Sequence, residues 1–184
     1  GGATIINPVT DEIAWKKWLM PETIQQVSAI FVTKAVAIDY FPGYKQVPVS
    51  EADLDAIDWE APYVYGTFLH EDIDTIRQQI ANIPGIVSHV INLYDEKIAG
   101  LQVTHIQADK SHGVATLCAL LGIAKDHTLG IGDGDNDMPL FQNAGLKIAM
   151  GNATEGLKAK ADHVVGSLEQ DGFAEAMEQF VLTH

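Results

Sequence analysis

The residues best suited to chemistry lie together at positions 131–140, in the run Ile-Gly-Asp-Gly-Asp-Asn-Asp-Met-Pro-Leu. This run carries three carboxylates, those of Asp133, Asp135 and Asp137, and the amide of Asn136. Carboxylate oxygens on one tight turn are the hard ligands that Mg²⁺ prefers, and a bound Mg²⁺ keeps positions for water and a phosphate. The run therefore predicts a Mg²⁺ site that receives a phosphate group.

Three simpler interpretations compete with a metal site. Asp137 is a favoured residue type for a helix N-cap, and Pro139 suits a first helical turn, but a cap accounts for only one carboxylate. A calcium loop would need glycine where Met138 stands and glutamate where Ala144 stands, so that match fails. The third interpretation is a solvated acidic turn that binds nothing.

Lys110 is the cation whose place in the chain suits the same site. An ammonium group that reached the acidic turn would bind phosphate and would also neutralise carboxylates. Taken alone, Lys110 is more simply a solvated surface lysine. Its order in the chain, one helix and one strand ahead of Gly132 and Asp133, favours the phosphate site.

The elements around these residues alternate between strand and helix. Asp109 can cap a helix that ends at Gly122 and carries apolar residues along one face. Strand, loop and helix then repeat, so we predict a parallel sheet, with its ligands at the turns that follow the strands. The expected segments after Gly122 are strands at 128–131, 147–150 and 163–165, a helix at 139–143, and a closing helix with Phe173, Met177 and Phe180.

Residues 3–105 alternate between predicted strands and helices, and their middle region, residues 63–105, predicts a small α+β module. Two helices are indicated by apolar residues at helical spacing, one opening at Pro21 and the other covering residues 71–82. Strands are indicated by β-branched and aromatic runs between turn residues, at 3–6, 12–19, 35–39, 63–69, 86–93 and 97–105.

Composition limits the classes of function. Of the 184 residues, 47% are apolar and 20% charged, which is typical of a folded protein with one large domain or two small ones. The net charge of −14 repels phosphate backbones, so nucleic acid is not expected as a partner. Cys118 is the single cysteine and is interpreted as a small core residue on an apolar helical face, not a nucleophile. We find neither a long apolar run nor a signal-peptide pattern, and we expect a cytoplasmic location.

Several segments resemble the haloacid dehalogenase superfamily, in particular its Cof-type (IIB) sugar-phosphate phosphatases. Lys110, followed by Gly-Val at 113–114, is similar to the family's lysine motif, although Ser111 replaces a frequent glycine. The other matching segments are the metal motif at 132–141 (Gly-Asp-Gly-Asp-Asn-Asp-Met-Pro-Leu-Phe), the loop near the phosphate at 149–153 (Ala-Met-Gly-Asn-Ala) and the strand that leads towards the cap at 2–6 (Gly-Ala-Thr-Ile-Ile).

The resemblance implies an α/β fold, with a Rossmann-like core built on a parallel sheet and an inserted α+β cap domain. Residues 1–33 would form the first part of the core, residues 34–103 the cap, and residues 104–184 the second part of the core with the lysine and metal motifs.

The resemblance also implies a Mg²⁺-dependent phosphomonoesterase in which an aspartate attacks phosphorus and becomes an aspartyl-phosphate. Asp133 and Asp137 would bind the Mg²⁺, with Asn136 helping to orient the site. Lys110 would stabilise the phosphoryl group, and Asn152 would bond a phosphate oxygen.

The nucleophile motif of this family, Asp-x-Asp-x-Thr or -Val after a buried strand, is missing from the sequence. Asp72 and Asp74 begin an amphipathic helix, while Asp53 and Asp55 are followed by Ile57 and have no strand before them. Because the family places the motif ahead of its Gly-Ala strand, we expect this chain to be an N-terminally truncated fragment. The sheet would then be incomplete, so we expect an oligomer, a second polypeptide or a rearrangement to complete it.

The parent protein is therefore expected to hydrolyse small phosphorylated metabolites of the sugar-phosphate kind, and this chain alone to be nearly inactive. Two alternatives stay open: a non-catalytic metal- or phosphate-binding protein of the same fold, and a phosphomutase. In the family the cap selects the substrate. The side chains there that could face a leaving group, each explained more simply by packing or exposure, are Tyr44, Tyr63, Tyr65 and His70.

Overall fold

The chain divides into two compact units, with a boundary between Ala108 and Asp109. A computed structural model describes residues 2–40, 47–48 and 51–182. Ala3–Ala108 form the N-terminal unit, and Asp109–His184 together with Gly1–Gly2 form the C-terminal unit.

The N-terminal unit is built on an antiparallel sheet of five strands in the order β4-β3-β5-β7-β6, with a separate hairpin of β1 and β2. This arrangement confirms the predicted α+β module. Its elements are β1 (Thr4–Ile6), β2 (Ile13–Lys16), α1 (Pro21–Phe31), β3 (Ala37–Tyr40), β4 (Val47–Pro48), β5 (Val64–Leu69), α2 (His70–Ile80), β6 (Ile86–Asn92) and β7 (Ile98–His105).

Helix α1 illustrates how the apolar pattern builds this unit. Pro21 is tolerated because the first helical turn needs no N–H at that position. Ile24, Val27 and Phe31 recur at helical spacing, and all three are buried. The ring of Phe31 meets the ring of Phe68 edge to face, with centroids 4.9 Å apart. The apolar face of α1 thus packs on β5.

The C-terminal unit contains a parallel sheet in the order β10-β9-β8, which confirms the predicted strand–helix alternation. Its elements are α3 (Lys110–Leu121), β8 (Leu129–Gly132), α4 (Met138–Asn143), β9 (Leu146–Ala149), α5 (Glu155–Lys158), β10 (His163–Val164) and α6 (Gly172–Phe180).

Helix α3 begins and ends as predicted but leaves its apolar residues uncovered. Asp109 caps it by accepting a hydrogen bond of 2.8 Å from the His112 N–H, and Gly122 ends it in the left-handed region at φ 66°. Leu120 and Leu121 remain 54% and 61% exposed. Among the described residues, nothing buries this side of the helix.

The predicted domain boundaries at 33/34 and 103/104 do not coincide with the division into units. Helix α1, placed in the core by that prediction, packs in the same apolar cluster as β5 and β7. Domain boundaries fall where few contacts cross, and the buried face of α1 makes residue 33 a poor position. Gly2 belongs to the C-terminal unit because its backbone packs on the carbonyl of Asp109. The Gly2 Cα also lies 3.2 Å from the position that a Cβ on Gly113 would take.

The closing helix forms where it is predicted, as α6, and Phe180 packs against the apolar cluster of this unit. Phe173 is 58% exposed, while Gly172 and Ala176 are buried because the small side of the helix faces the apolar cluster of this unit. Within the described ranges, no helix is both long enough and apolar enough to cross a membrane.

Candidate active site

The acidic turn follows β8 directly and is shaped by Gly132. A Cβ on Gly132 would stand 2.6 Å from the Cβ of Asp137, so only glycine leaves room for the turn to fold back. The Asp137 N–H donates to the Gly134 carbonyl at 2.9 Å, which closes a short 3₁₀ turn before α4 begins. The turn therefore brings Asp137 back over the end of β8.

Asp137 is the buried centre of the site, with 6% of its surface exposed. Its Oδ2 accepts hydrogen bonds from the N–H groups of Asp133, at 3.0 Å, and Gly134, at 3.3 Å, while its Oδ1 accepts one from Lys110 Nζ. Its carboxylate does not cap α4. The interpretation of Asp137 as an ordinary N-cap is therefore wrong, because its oxygens are engaged by the turn and by Lys110.

Lys110 lies within contact of the acidic turn, as its order in the sequence predicts. It opens α3, whose first turn is fastened to α4 by Asn143: the Asn143 Nδ2 donates to the Ser111 carbonyl at 2.9 Å and to the Ser111 Oγ at 2.6 Å. This attachment holds the ammonium beside Asp137. With 31% of its side chain exposed, Lys110 keeps a route to solvent and to a ligand.

The electrostatics of Asp137 follow from these contacts. Burial raises the pKa of its carboxyl, because a charge loses hydration in the interior. The hydrogen bonds from Lys110 and from the backbone of Asp133 and Gly134, together with the charge of Lys110, outweigh burial and hold the pKa below its usual value. Asp137 is therefore an anion over the physiological pH range.

The other oxygen groups of the turn differ in how far they are engaged. Asp135 Oδ1 accepts a hydrogen bond of 2.6 Å from Thr154 Oγ1. The Asp133 carboxylate is exposed and makes no hydrogen bond or ion pair with any described residue. Asn136 is also exposed, and its Oδ1 lies 2.5 Å from where a Cβ on Gly134 would stand. Asp133 and Asn136 thus have oxygen atoms available for a cation.

This donor set fits Mg²⁺ bound by few protein ligands. The described residues contain no group of three or more His, Cys, Asp or Glu side chains arranged to enclose a metal. Mg²⁺ does not require such an enclosure, since it is commonly held by one or two carboxylates and keeps several waters. Asp133, with Asn136 beside it, meets that lower requirement. The binding of Mg²⁺ predicted for Asp137 stays a prediction, because both of its carboxylate oxygens already accept hydrogen bonds.

Asn152 is placed on the loop after β9, and its amide is only partly available. Its Oδ1 accepts a hydrogen bond of 3.0 Å from the Leu168 N–H, which fastens this loop to the segment after β10. The Nδ2 group remains for a ligand, because an asparagine amide donates through nitrogen and accepts through oxygen. The phosphate contact predicted for Asn152 therefore stays a prediction for its Nδ2 alone.

Sequence reasoning missed Thr154, whose hydroxyl reaches the acidic turn. Its position before Glu155 is a readable N-cap signal, but the contact with Asp135 spans 19 positions and has no sequence pattern.

The side chains predicted to face a leaving group lie mostly in the N-terminal unit, where Tyr63 and Tyr65 are half-buried and His70 is exposed. Tyr44 lies outside the described residues.

Comparison with known proteins places the chain in a family. The sequence pattern of the haloacid dehalogenase-like hydrolases matches residues 28–177. A phosphoglycolate phosphatase of Methanobrevibacter smithii is 39% identical over 92 residues, which make up 50% of this chain and 39% of that protein. The chain therefore spans well under half the length of this relative.

Solved structures share the fold at low sequence identity. A haloacid dehalogenase-like hydrolase from Bacteroides thetaiotaomicron superposes with a TM-score of 0.78 at 21% identity, over 95% of this chain and 72% of that one. A HAD subclass IIB sugar phosphatase superposes with a TM-score of 0.72 at 21% identity, over 92% of this chain and 70% of that one. With a family pattern that covers most of its length, the chain belongs to the haloacid dehalogenase-like hydrolases.

Proposed function

We propose that the protein containing this chain is a Mg²⁺-dependent phosphatase of small phosphorylated metabolites. The observation that carries the proposal is the contact between Lys110 Nζ and the buried Asp137 carboxylate, next to the free carboxylate of Asp133. A cation held at a fixed position beside a vacant acidic ligand is the arrangement that phosphoryl transfer needs.

Each residue has a distinct role in this proposal. Asp133 and Asn136 hold the metal, which when bound supplies positive charge to a phosphate oxygen. Lys110 Nζ donates to a second phosphate oxygen, and Asp137 keeps that ammonium charged and in place. The Nδ2 group of Asn152 donates to a third.

We assign the attacking aspartate to a polypeptide segment beyond the printed sequence. The Asp-x-Asp pairs of the chain do not match the family's motif, and two structural features leave room for another strand. β8 pairs with β9 on one edge only, and no described strand pairs with the other. An unpaired strand edge presents N–H and C=O groups that accept a further strand.

The exposed leucines of α3 favour the same assignment. Helix α3 packs on α4, which connects β8 to β9, so a strand added to the free edge of β8 would have an apolar helix face available to cover it. A helix that is apolar beyond one stripe is usually buried on more than one side. We infer that a strand-bearing segment, either in the parent protein or in a partner, completes this sheet.

The division into units suggests how the parent protein is organised. We assign Ala3–Ala108 to the cap and the C-terminal unit to the core that carries the lysine and metal motifs. The substrate class comes from the relatives: a phosphoglycolate phosphatase and a sugar phosphatase both act on small phosphorylated molecules. Small phosphorylated metabolites are the class common to both.

The first experiment tests the site in the 184-residue chain without requiring catalysis. Titration calorimetry with inorganic phosphate in the presence of Mg²⁺ is expected to give weak binding that disappears in Lys110→Met. Lys158→Met is the matched control, because Lys158 pairs with the exposed Glu155 and not with a carboxylate of the turn. Equal phosphate binding by Lys110→Met and the wild type would contradict the proposal.

The second experiment tests the missing nucleophile. The chain alone is expected to hydrolyse p-nitrophenyl phosphate at the background rate. Co-expression with a designed strand segment ending in Asp-x-Asp-x-Thr is expected to raise the rate above that of the same segment with asparagine at both acidic positions. Robust hydrolysis by the chain alone would overturn the assignment of the nucleophile.

A non-catalytic phosphate-binding protein is the second candidate, and the absence of a suitable Asp-x-Asp from the printed sequence favours it. The coding sequence upstream separates the two. An in-frame Asp-x-Asp-x-Thr supports the phosphatase, and its absence supports the binding protein. A phosphomutase would return an isomer of the substrate in place of inorganic phosphate, which product analysis detects.

A further inference from the structure

Thr154 ties the acidic turn to helix α5 through three hydrogen bonds. Its N–H donates to the Asp133 carbonyl at 3.2 Å, and its Oγ1 donates to Asp135 Oδ1 at 2.6 Å. The same Oγ1 accepts from the Leu157 N–H at 3.3 Å and so caps α5. One residue therefore joins two segments that are distant in sequence.

The hydroxyl of Thr154 has a fixed orientation because both of its functions are used. A hydroxyl has one donor hydrogen, which here points to Asp135, and lone pairs, one of which faces the α5 backbone. The segment that carries Thr154 is well packed, since the neighbouring Ala153 is buried and Leu157 is fully buried. The Asp135 carboxylate is not crowded by α5, since even a Cβ on Gly156 would stand at an ordinary 3.5 Å from Asp135 Oδ1.

Asp133 is held on both sides of its Cα by this arrangement. Its N–H donates to Asp137 Oδ2 at 3.0 Å, and its carbonyl accepts from the Thr154 N–H. The bond from Thr154 Oγ1 to Asp135 keeps the next part of the turn against the same support. A metal ligand that is held in position before binding loses less freedom when the metal arrives.

We propose that Thr154 is a positioning residue that sets the Mg²⁺ affinity of Asp133 through its hydrogen bond to Asp135. This inference rests on the proposed function, because it takes Asp133 as a Mg²⁺ ligand. It assigns Thr154 no contact with the metal or with the phosphate.

The test measures the Mg²⁺ dissociation constant of the 184-residue chain by titration calorimetry. Thr154→Val keeps the shape and removes the hydroxyl, and it is expected to raise the dissociation constant about fivefold, the factor that corresponds to one ordinary hydrogen bond. Thr154→Ser keeps the hydroxyl and is expected to stay within about twofold of the wild type, well inside that factor.

Two further variants separate positioning from charge and from helix capping. Glu155→Gln removes a neighbouring carboxylate that pairs with Lys158 and not with the turn, so it measures the effect of charge alone. Asp135→Ala removes the partner of Thr154 but leaves the cap of α5. In an Asp135→Ala background, Thr154→Val is expected to change the Mg²⁺ affinity by less than about twofold, because the coupled bond is already absent.

The outcomes distinguish this inference from the proposal on which it rests. A wild-type chain that binds no Mg²⁺ overturns the proposed function and this inference with it. A wild-type chain that binds Mg²⁺, with Thr154→Val binding equally tightly, overturns the inference alone. If Thr154→Val weakens Mg²⁺ binding by the same factor in the wild type and in the Asp135→Ala background, the hydroxyl acts only as a helix cap. That result also overturns the inference.

Discussion

Gly132 and Asp137 approach so closely that a Cβ on Gly132 would stand 2.6 Å from the Asp137 Cβ and 3.0 Å from its Cγ. The atom that would meet the new methyl group is next to the Asp137 backbone and cannot swing aside. The buried carboxylate of Asp137 thus requires glycine at the end of β8.

Gly132→Ala is therefore expected to lower the free energy of unfolding by about 1–3 kcal/mol, the usual cost of forcing an extra carbon into a packed site. Urea denaturation followed by circular dichroism measures the change. Gly156→Ala is the matched control: its Cβ would meet only ordinary contacts, and alanine is the better helix former by up to about 1 kcal/mol. A Gly132→Ala variant as stable as Gly156→Ala would contradict the steric argument.

Lys110→Met is expected to destabilise the chain by about 1–3 kcal/mol, because it leaves the buried Asp137 Oδ1 without its partner. The two backbone donors to Oδ2 remain, so the loss stays below that of a fully orphaned charge. Urea denaturation in EDTA measures it.

Lys158→Met supplies the comparison for Lys110→Met. Its partner Glu155 is almost fully exposed, and exposed ion pairs contribute little to stability. If both substitutions cost the same, the ion pair of Lys110 is no stronger than a surface pair, and its role in holding the site is refuted.

The lowered pKa of Asp137 predicts how stability depends on pH. Burial works against the shift, but the hydrogen bonds from Lys110 and the backbone prevail, so the pKa is lower in the folded than in the unfolded chain. The unfolded chain then binds the proton first. The stabilisation is fully present above about pH 4, the ordinary aspartate pKa, and is lost as pH falls through the folded value.

Denaturation midpoints in EDTA, followed from neutral pH into the acid range, measure this dependence. Asp137→Asn is expected to be less stable than the wild type at neutral pH and to lose less stability on acidification. If the midpoints of the wild type and of Asp137→Asn fall in parallel as the pH is lowered, a group other than Asp137 controls the loss of stability in acid. Asp109 contributes in the same direction, since its pKa is also lowered: burial opposes the shift, and the hydrogen bonds from His112 exceed it.

The uncovered side of α3 predicts a contrast between folding and assembly. Leu120→Gln is expected to change the free energy of unfolding of the chain alone by less than about 0.5 kcal/mol, because Leu120 is already exposed. The same substitution is expected to abolish activation by the designed strand segment described above. Leu157→Ala, at a fully buried position, is expected to cost about 2–5 kcal/mol. A large loss of stability from Leu120→Gln alone would contradict the uncovered face.

Local patterns in the sequence were sufficient for most of the elements. Ile73, Ile76 and Ile80 recur at helical spacing, and all three are buried on α2. The cap at Asp109 and the left-handed Gly122 follow from side-chain and backbone preferences that act over a few residues. Such signals are local, so the sequence alone predicts them.

Relations that depend on tertiary packing were harder to predict. The apolar residues of α3 indicate a buried face, but spacing does not say whether a partner is present to bury it. The boundary expected at residue 33 missed the packing of α1 on β5, which links positions as far apart as Phe31 and Phe68.

The candidate site shows the same difference between what local sequence patterns predict and what depends on tertiary packing. The order of Lys110 and the Gly-Asp turn predicts their proximity, which the structure confirms. The bond between Thr154 and Asp135 lies outside any motif, because it depends on how the loop after β9 folds over the turn. Sequence reasoning therefore found the charged groups and missed Thr154, whose hydroxyl bonds one of them, Asp135.

The edge of β8 that pairs with no described strand has a consequence for handling the protein in solution. An unpaired strand edge and the exposed Leu120 and Leu121 both favour association between copies of the chain, while a net charge of −14 opposes it by repulsion. Salt shortens the reach of that repulsion to about 10 Å at 0.1 M. Aggregation of the isolated chain thus depends on ionic strength: dilute buffer favours dispersed monomers, and concentrated salt favours aggregates.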